Sequence, residues 1–275
     1  MVFSIKKSIP SVITIANLFL GFTSIVLLSL SLNDQISYIS TSCYLILIGC
    51  ILDSLDGKVA RKLNVSSDFG KEIDSLADLV SFCMVPSLLI FVFYMVTFPD
   101  YFNMVNLIFL SSFPLILGAI RLAKYNSFGE MRDSEKYLGL PTPSNAILIC
   151  SIILFVNNAP IRFILGLNKS ENIVYSSLSW IIEIPYMILL ISILSSLLLM
   201  SKVNYEKFPL ISFKINRKNS LDLINLILFI IILVTSIISK NYDIVLLFFM
   251  MVYIYGNLIK FIFNKIKTKI KPIHL

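Results

Sequence analysis

Histidine is almost missing from this chain: 275 residues contain one, His274, beside the C-terminus. That argues against Ser-His-Asp or Cys-His chemistry, because no interior imidazole is available to carry a proton. Cysteine is scarce, and Cys43, Cys50, Cys83 and Cys150 form no CxxC pair and all fall inside apolar runs. They read as small membrane-buried side chains, not as a disulfide framework. Charge is also low. Asp, Glu, Lys and Arg make up 14% of the chain and hydrophobic residues 57%, whereas a soluble domain carries about 25% charged residues. Such a chain belongs in a bilayer. The net charge of +7 does not imply nucleic acid, since the basic residues lie between hydrophobic spans, where anionic lipid head groups are the natural partner. The start, MVFSIKKSIPSVIT, offers no small-residue cleavage site after a short apolar core, so no cleaved signal peptide is expected. No internal repeat of fixed period is present.

What the chain does have is long apolar runs. About 20 such residues cross the ~30 Å hydrocarbon layer. The pattern predicts an all-α integral membrane bundle of about eight transmembrane helices, with an interfacial N-terminal segment that carries Lys6 and Lys7 and ends at Pro10. The spans are expected over about 11–32, 39–63, 67–97 with a kink at Pro86, 103–125, 143–157 (or on to 166), 173–201, 220–239 and 242–263. Residues 1–201 make the core, and residues 202–275 add a basic linker, two further spans and a basic tail. Lysine and arginine set the orientation. Of the 23, 20 fall at the N-terminus, the 58–71 loop, the 121–136 region, the linker and the tail; only Arg162, Lys169 and Lys240 fall on the other side. The expectation is that both termini face the cytoplasm, in the cell membrane.

Acids are few, and they cluster. Residues 53–78 contain Asp53, Asp56, Asp68, Glu72, Asp74 and Asp78. With helices on both flanks, Asp53 and Asp56 (i, i+3) share one face and Asp74 and Asp78 (i, i+4) share another. A tight connection after Arg61, with Ser67 or Asp68 as the cap of the next helix, lets the two pairs converge. Four such carboxylates repel unless protonated or bound to cations, and carboxyl groups at membrane depth are functional candidates by default. Hard oxygen-seeking divalent ions are the matching guests: magnesium, manganese or calcium. Gly57, Ala60 and Gly70 lack bulk, so a ligand could approach the backbone closely. Arg61 offers a planar fork for phosphate, or else, with Lys62, a topology anchor at a helix end.

The spacing Asp53-x2-Asp56-Gly57-x2-Ala60-Arg61-x8-Gly70-x3-Asp74-x3-Asp78 closely resembles the motif of the CDP-alcohol phosphotransferase family. Those membrane enzymes move a substituted phosphate from a CDP-linked donor to an alcohol. The resemblance implies that Asp53, Asp56 and Asp74 bind metal, and that Asp78 is both ligand and candidate base; the residues alone do not choose which aspartate is the base. It also implies a homodimer, and a CDP-lipid site drawing on Asn17, Asp53, Gly57, Ala60, Arg61 and Gly70. Asn17 belongs to the stretch Pro10, Thr14, Asn17, Gly21, where a helix–helix hydrogen bond is an equal reading.

Two later segments, Arg121-Leu-Ala-Lys-Tyr-Asn126 and Gly139-Leu-Pro-Thr-Pro143, resemble the phosphatidylserine synthase branch of that family. The branch often has arginine where Lys124 stands, Gly-Val where Cys83-Met84 stands and alanine where Asn145 stands. The resemblance implies CDP-diacylglycerol or CDP-archaeol as donor and L-serine as acceptor. Arg121 could take the serine carboxylate, with Asn126 holding its ammonium or ordering the loop; alternatively both cap the fourth helix. Other acceptors, glycerol phosphate or inositol phosphate, and an ion-coupled transporter are the competing readings. The charge asymmetry gives the first prediction. A cysteine introduced at Lys136 or Lys214 should react with an impermeant thiol reagent only from the cytoplasmic side, and labelling from outside would overturn the orientation.

Overall fold

The computed structural model describes residues 5–32, 37–63, 65, 67–99, 101–128, 136–158, 185–206 and 242–270. The first helices, α1 (Ile5–Ser31) and α2 (Ser37–Leu63), pack along each other as a hairpin. The expected interfacial segment ending at Pro10 is instead continuous with α1, because Pro10 sits inside the helix. There it forfeits a single backbone bond, and its carbonyl accepts from Thr14 Oγ1 at 3.0 Å.

Next come α3 (Asp68–Asp78), a six-residue π-helical stretch (Leu79–Met84) and α4 (Val85–Thr97). Together they form one continuous apolar span, Asp68–Thr97. The π turn lies directly ahead of Pro86, whose ring would crowd the carbonyl of Phe82 in a regular α-helix. Pro86 therefore interrupts the helix without breaking it, as the sequence pattern predicts. The following span, Met104–Ser127, is divided at Ser112 into α5 (Met104–Ser111) and α6 (Phe113–Phe128). At the start of α6 the Leu115 N–H lacks an internal acceptor and donates to Ser87 Oγ on α4, at 2.9 Å.

Helix α7 (Thr142–Asn158) is the centre of the bundle. Ala146, Leu148, Ile149, Cys150, Ile152, Ile153, Leu154, Phe155 and Val156 are all at most 1% exposed, so the helix is covered on every side. Around it stand α2, α4, α8 (Pro185–Leu198) and α9 (Tyr242–Ile270). The outer faces of α1, α6 and α9 carry exposed apolar residues, among them Phe19, Phe22, Ile116, Phe248 and Phe263, as a lipid-facing surface requires.

Five helices among the described residues are long and apolar enough to cross a membrane, and two further apolar helices, Thr142–Asn157 and Tyr186–Leu198, are shorter. The expected span over 220–239 and the first part of the one over 173–201 lie outside the described residues. The all-α expectation needs one addition. Strands β1 (Lys136–Leu138) and β2 (Asn204–Glu206), from stretches read as polar loop and basic linker, pair antiparallel with Tyr137 opposite Tyr205. Three-residue strands carry too little alternation to be seen in sequence.

Close helix contacts depend on small residues. A Cβ on Gly21 would sit 2.5 Å from Ser81 Oγ, and one on Gly118 would collide with Cys83 Sγ. Gly139 is the conformational case: its φ is +75°, and a Cβ there would sit 2.5 Å from the Leu199 carbonyl oxygen. Gly139→Ala should therefore lower stability by about 1–2 kcal/mol or more. A thermal melt of the detergent-solubilised protein checks this, with Gly256→Ala as control, since a Cβ there meets nothing within 4 Å and should not lower the melting temperature.

Candidate active site

The last turns of α2 and the whole of α3 form the site. The chain leaves α2 with the Val65 N–H on the Ala60 carbonyl at 3.1 Å. It re-enters helix at Ser67, whose Oγ accepts from the Gly70 N–H at 3.0 Å, and so Ser67, of the two cap candidates, starts α3. Lys71 pairs with Asp68 at 2.8 Å, which leaves the inner face of α3 to Asp74 and Asp78.

The predicted convergence is present. Asp53, Asp56 and Asp74 each offer an oxygen, and these atoms all lie within 4.8 Å of one another. Asp78 completes the group, its carboxyl in electrostatic reach of those of Asp53 and Asp74. None of the four forms an ion pair with a lysine or arginine among the described residues. Two hydroxyls from other helices brace the group. Thr14 Oγ1 on α1 donates to Asp56 Oδ2 at 2.7 Å, and Thr142 Oγ1 on α7 donates to Asp78 Oδ2 at 3.2 Å. Asp78 Oδ1 is buried with no hydrogen-bond donor.

The two sides of the aspartate group differ. On the α1 side Asp56, Gly57, Ala60, Gly70 and Asp74 line a cavity of about 130 Å³ together with Thr14. A Cβ on Gly57 would meet nothing within 4 Å, so its value is the open space over it. Arg61 is exposed at the end of α2 and does not line this cavity. Asn17 does not reach it either. It is 1% exposed, with both side-chain polar atoms unpartnered, and it faces α2, where a Cβ on Gly49 would sit 2.7 Å from its Oδ1.

On the α6 and α7 side, Arg121 has its Nε buried without an acceptor and lies in electrostatic reach of Asp78, Cys83, Tyr125 and Tyr137. Asn126 is turned elsewhere. Its Nδ2 donates to Ser75 Oγ at 3.0 Å and approaches Glu72 Oε2 at 3.5 Å, tying α6 to the outer face of α3. Sequence reasoning did not single out Thr142 or Tyr137 as site residues. The first follows from the position of the Gly139–Pro143 segment, and the second from strand pairing that no local pattern announces.

A family profile described as CDP-alcohol phosphatidyltransferase matches residues 7–192. The chain belongs to that family. A Helicobacter pylori relative named CDP-diacylglycerol–serine O-phosphatidyltransferase is 30% identical over 268 residues, covering 94% of this chain and 96% of its own. Relatives of the same name from Methanocaldococcus jannaschii and Bacillus subtilis are 31% and 35% identical, over 75% and 58% of this chain and 79% and 81% of theirs. Family membership makes the chain a membrane-embedded transferase of phospholipid synthesis and sets aside the transporter reading.

CDP-alcohol phosphatidyltransferases use divalent metals, and the residues here fit that need. Among the described residues, three convergent carboxylates form no ion pair with a lysine or arginine, and a fourth, Asp78, has one buried oxygen without a donor. Oxygen ligands of this kind suit magnesium or manganese.

Thr142 fixes the Asp78 carboxyl from α7, and its contribution can be isolated. Thr142→Val keeps the shape but removes the donor, so kcat should fall about tenfold, as expected for a hydrogen bond to a charged group. Thr142→Ser should restore most of it, and the apparent affinity for the nucleotide donor should stay within about twofold in both variants. Equal kcat for the valine and serine variants would mean that Thr142 only caps α7.

Proposed function

We propose that the protein transfers the phosphatidyl group of CDP-diacylglycerol to the hydroxyl of L-serine, forming phosphatidylserine and CMP, at the cytoplasmic face of the cell membrane. The observation that carries this reading is the two-sided aspartate group. A cavity lined by small residues flanks Asp56 and Asp74, and a half-buried Arg121, with a buried and unsatisfied Nε, lies in electrostatic reach of Asp78. The names of the relatives support serine as the acceptor.

The chemistry follows from these positions. The donor's nucleotide occupies the α1–α2–α3 cavity, close to the backbone of Gly57 and Gly70. Asp53, Asp56, Asp74 and Asp78 would hold two divalent cations, whose charge offsets that of the diphosphate. Arg121 receives the serine carboxylate in its planar fork, so the hydroxyl points towards Asp78. The serine oxygen forms a bond to the lipid-linked phosphorus, the bond to the CMP oxygen breaks, and the serine proton passes to the Asp78 carboxylate. Thr142 keeps that carboxylate oriented. Such displacement depends mainly on positioning and charge stabilisation, which suits a site without histidine.

The orientation, both termini cytoplasmic within about eight spans, comes from the distribution of lysine and arginine. Asn126, bound to Ser75 on α3, serves the reaction by fixing α6 and thereby Arg121.

The test is purified protein with CDP-diacylglycerol and radiolabelled serine, with and without magnesium or manganese. Labelled phosphatidylserine should form only with metal, and Asp74→Asn should abolish it while the protein remains folded in the membrane. Arg121→Lys keeps the charge but loses the fork. The KM for serine should rise about tenfold or more, because a charged hydrogen bond contributes roughly 1.5–3 kcal/mol, while the KM for the donor changes little. If Arg121→Lys weakens the donor and leaves serine untouched, Arg121 is a phosphate contact and the acceptor assignment fails.

A further inference from the structure

The β1–β2 ribbon lies beside the site and is held unusually firmly. Beyond the paired strands, the Gly139 N–H donates to the Val203 carbonyl at 2.8 Å and the Leu140 N–H to the Leu198 carbonyl at 3.0 Å. Gly139 packs directly on the Leu199 carbonyl. Three residues further on, Thr142 reaches Asp78. The stretch from Tyr137 to Thr142 is therefore fixed at both ends, to α8 and β2 on one side and to the aspartate group on the other.

Residues paired across a ribbon share a face, and Tyr137 is paired with Tyr205. Both turn inward. Tyr205 is fully buried, its ring 5.8 Å from that of Tyr253 on α9. Tyr137 is half-buried, packed against the edge of the core, while its neighbour Leu138 is exposed. Arg61 at the end of α2, Arg121 and Tyr125 on α6, and Asp53 all lie within electrostatic reach of Tyr137. Burial, followed by the nearby Tyr125, holds the Tyr137 phenol above its ordinary pKa, although Arg61 and Arg121 pull it down. The group is neutral at physiological pH.

We propose that Tyr137 is a specificity-determining residue of the transferase: its ring roofs the acceptor side of the aspartate group, between Arg61 and Arg121, and keeps water from competing with the acceptor hydroxyl. The reasoning is chemical. Water is the smallest alcohol-like nucleophile, and any activated CDP-lipid exposed to it can be lost. In that side reaction a water oxygen bonds to the lipid-linked phosphorus, the bond to CMP breaks and the water proton is released, giving phosphatidic acid and CMP. Arg121 can bind a carboxylate but cannot exclude water; a fixed aromatic ring over the same space can. The buttress behind that ring, β2 and α9, lies beyond residue 192, where the family match ends. The C-terminal part of the chain thus acts on the reaction through Tyr205 and Tyr253 without touching substrate.

The inference rests on the acceptor-side reading given above, and the experiment separates the two. Full-length protein in nanodiscs is supplied with CDP-diacylglycerol and metal, with and without serine, and CMP, phosphatidylserine and phosphatidic acid are all measured. Tyr137→Ala should raise the ratio of phosphatidic acid to phosphatidylserine by about fivefold or more. It should also raise CMP release in the serine-free arm and leave the donor KM within about twofold. Tyr253→Ala leaves Tyr137 in place and withdraws its support, so it should shift the ratio in the same direction by a smaller factor; this variant decides the question if Tyr137→Ala does not fold. An unchanged ratio, with turnover either intact or reduced equally for both products, would overturn the roof. If the wild-type protein makes no phosphatidylserine, the serine reading fails; the serine-free arm still tests the roof alone.

Discussion

Four carboxylates close together at the end of two apolar helices are the constraint that the rest of the molecule answers. Two unit charges 4 Å apart repel by about 4 kcal/mol at an effective dielectric of 20, and Asp53, Asp56 and Asp74 lie within that order of distance of one another. No lysine or arginine among the described residues relieves them by an ion pair. Instead, hydroxyl groups from two other helices, Thr14 and Thr142, donate to one oxygen each of Asp56 and Asp78, while oxygens of Asp53, Asp56 and Asp74 converge on one another. Hydrogen bonds from neighbouring elements are how proteins orient metal-binding side chains.

The bracing residues also divide the site. Thr14 belongs to α1 and so to the cavity with Gly57, Ala60 and Gly70. Thr142 belongs to α7, beside the side occupied by Arg121 and Tyr137. The aspartates stand between an α1 half shaped by small residues and an α6–α7 half shaped by a guanidinium and aromatic rings. The division matches the two reactants of the proposed reaction, a bulky nucleotide diphosphate and a small zwitterion.

Much of this was legible in the chain because it is local. Asp53 and Asp56 share a face for reasons of helical period, and so do Asp74 and Asp78; Ser67 announces the start of α3. Among the described residues, the apolar runs place the ends of the first four spans within a few residues. The misreadings have physical causes as well. Pro10 looked like a stop, but one proline near a helix start forfeits a single bond. The last span, expected to end near 263, continues as α9 into the lysine-rich tail, to Ile270. Thr142 and Tyr137 depend on contacts between distant parts of the chain, Asp78 in one case and Tyr205 in the other. The bond from Asn126 to Ser75 likewise joins distant parts of the chain and has no local signature.

The π-helical stretch between α3 and α4 has a further consequence. An α-helix advances about 100° per residue, and a π turn accommodates one residue more than the α turn it replaces. Leu79–Met84 therefore sets the rotational phase between two faces of one continuous rod. One face carries Asp74 and Asp78 towards α2, and the other presses Leu89, Ile90 and Phe93 into the core. Restoring a regular helix there by removing one residue would leave the span long enough to cross the bilayer and equally apolar. It would nevertheless turn the carboxylates about a quarter of the way around the rod, away from their counterparts on α2. The register of the aspartates is thus written as an angle, and a single surplus residue in an otherwise featureless hydrophobic segment encodes it.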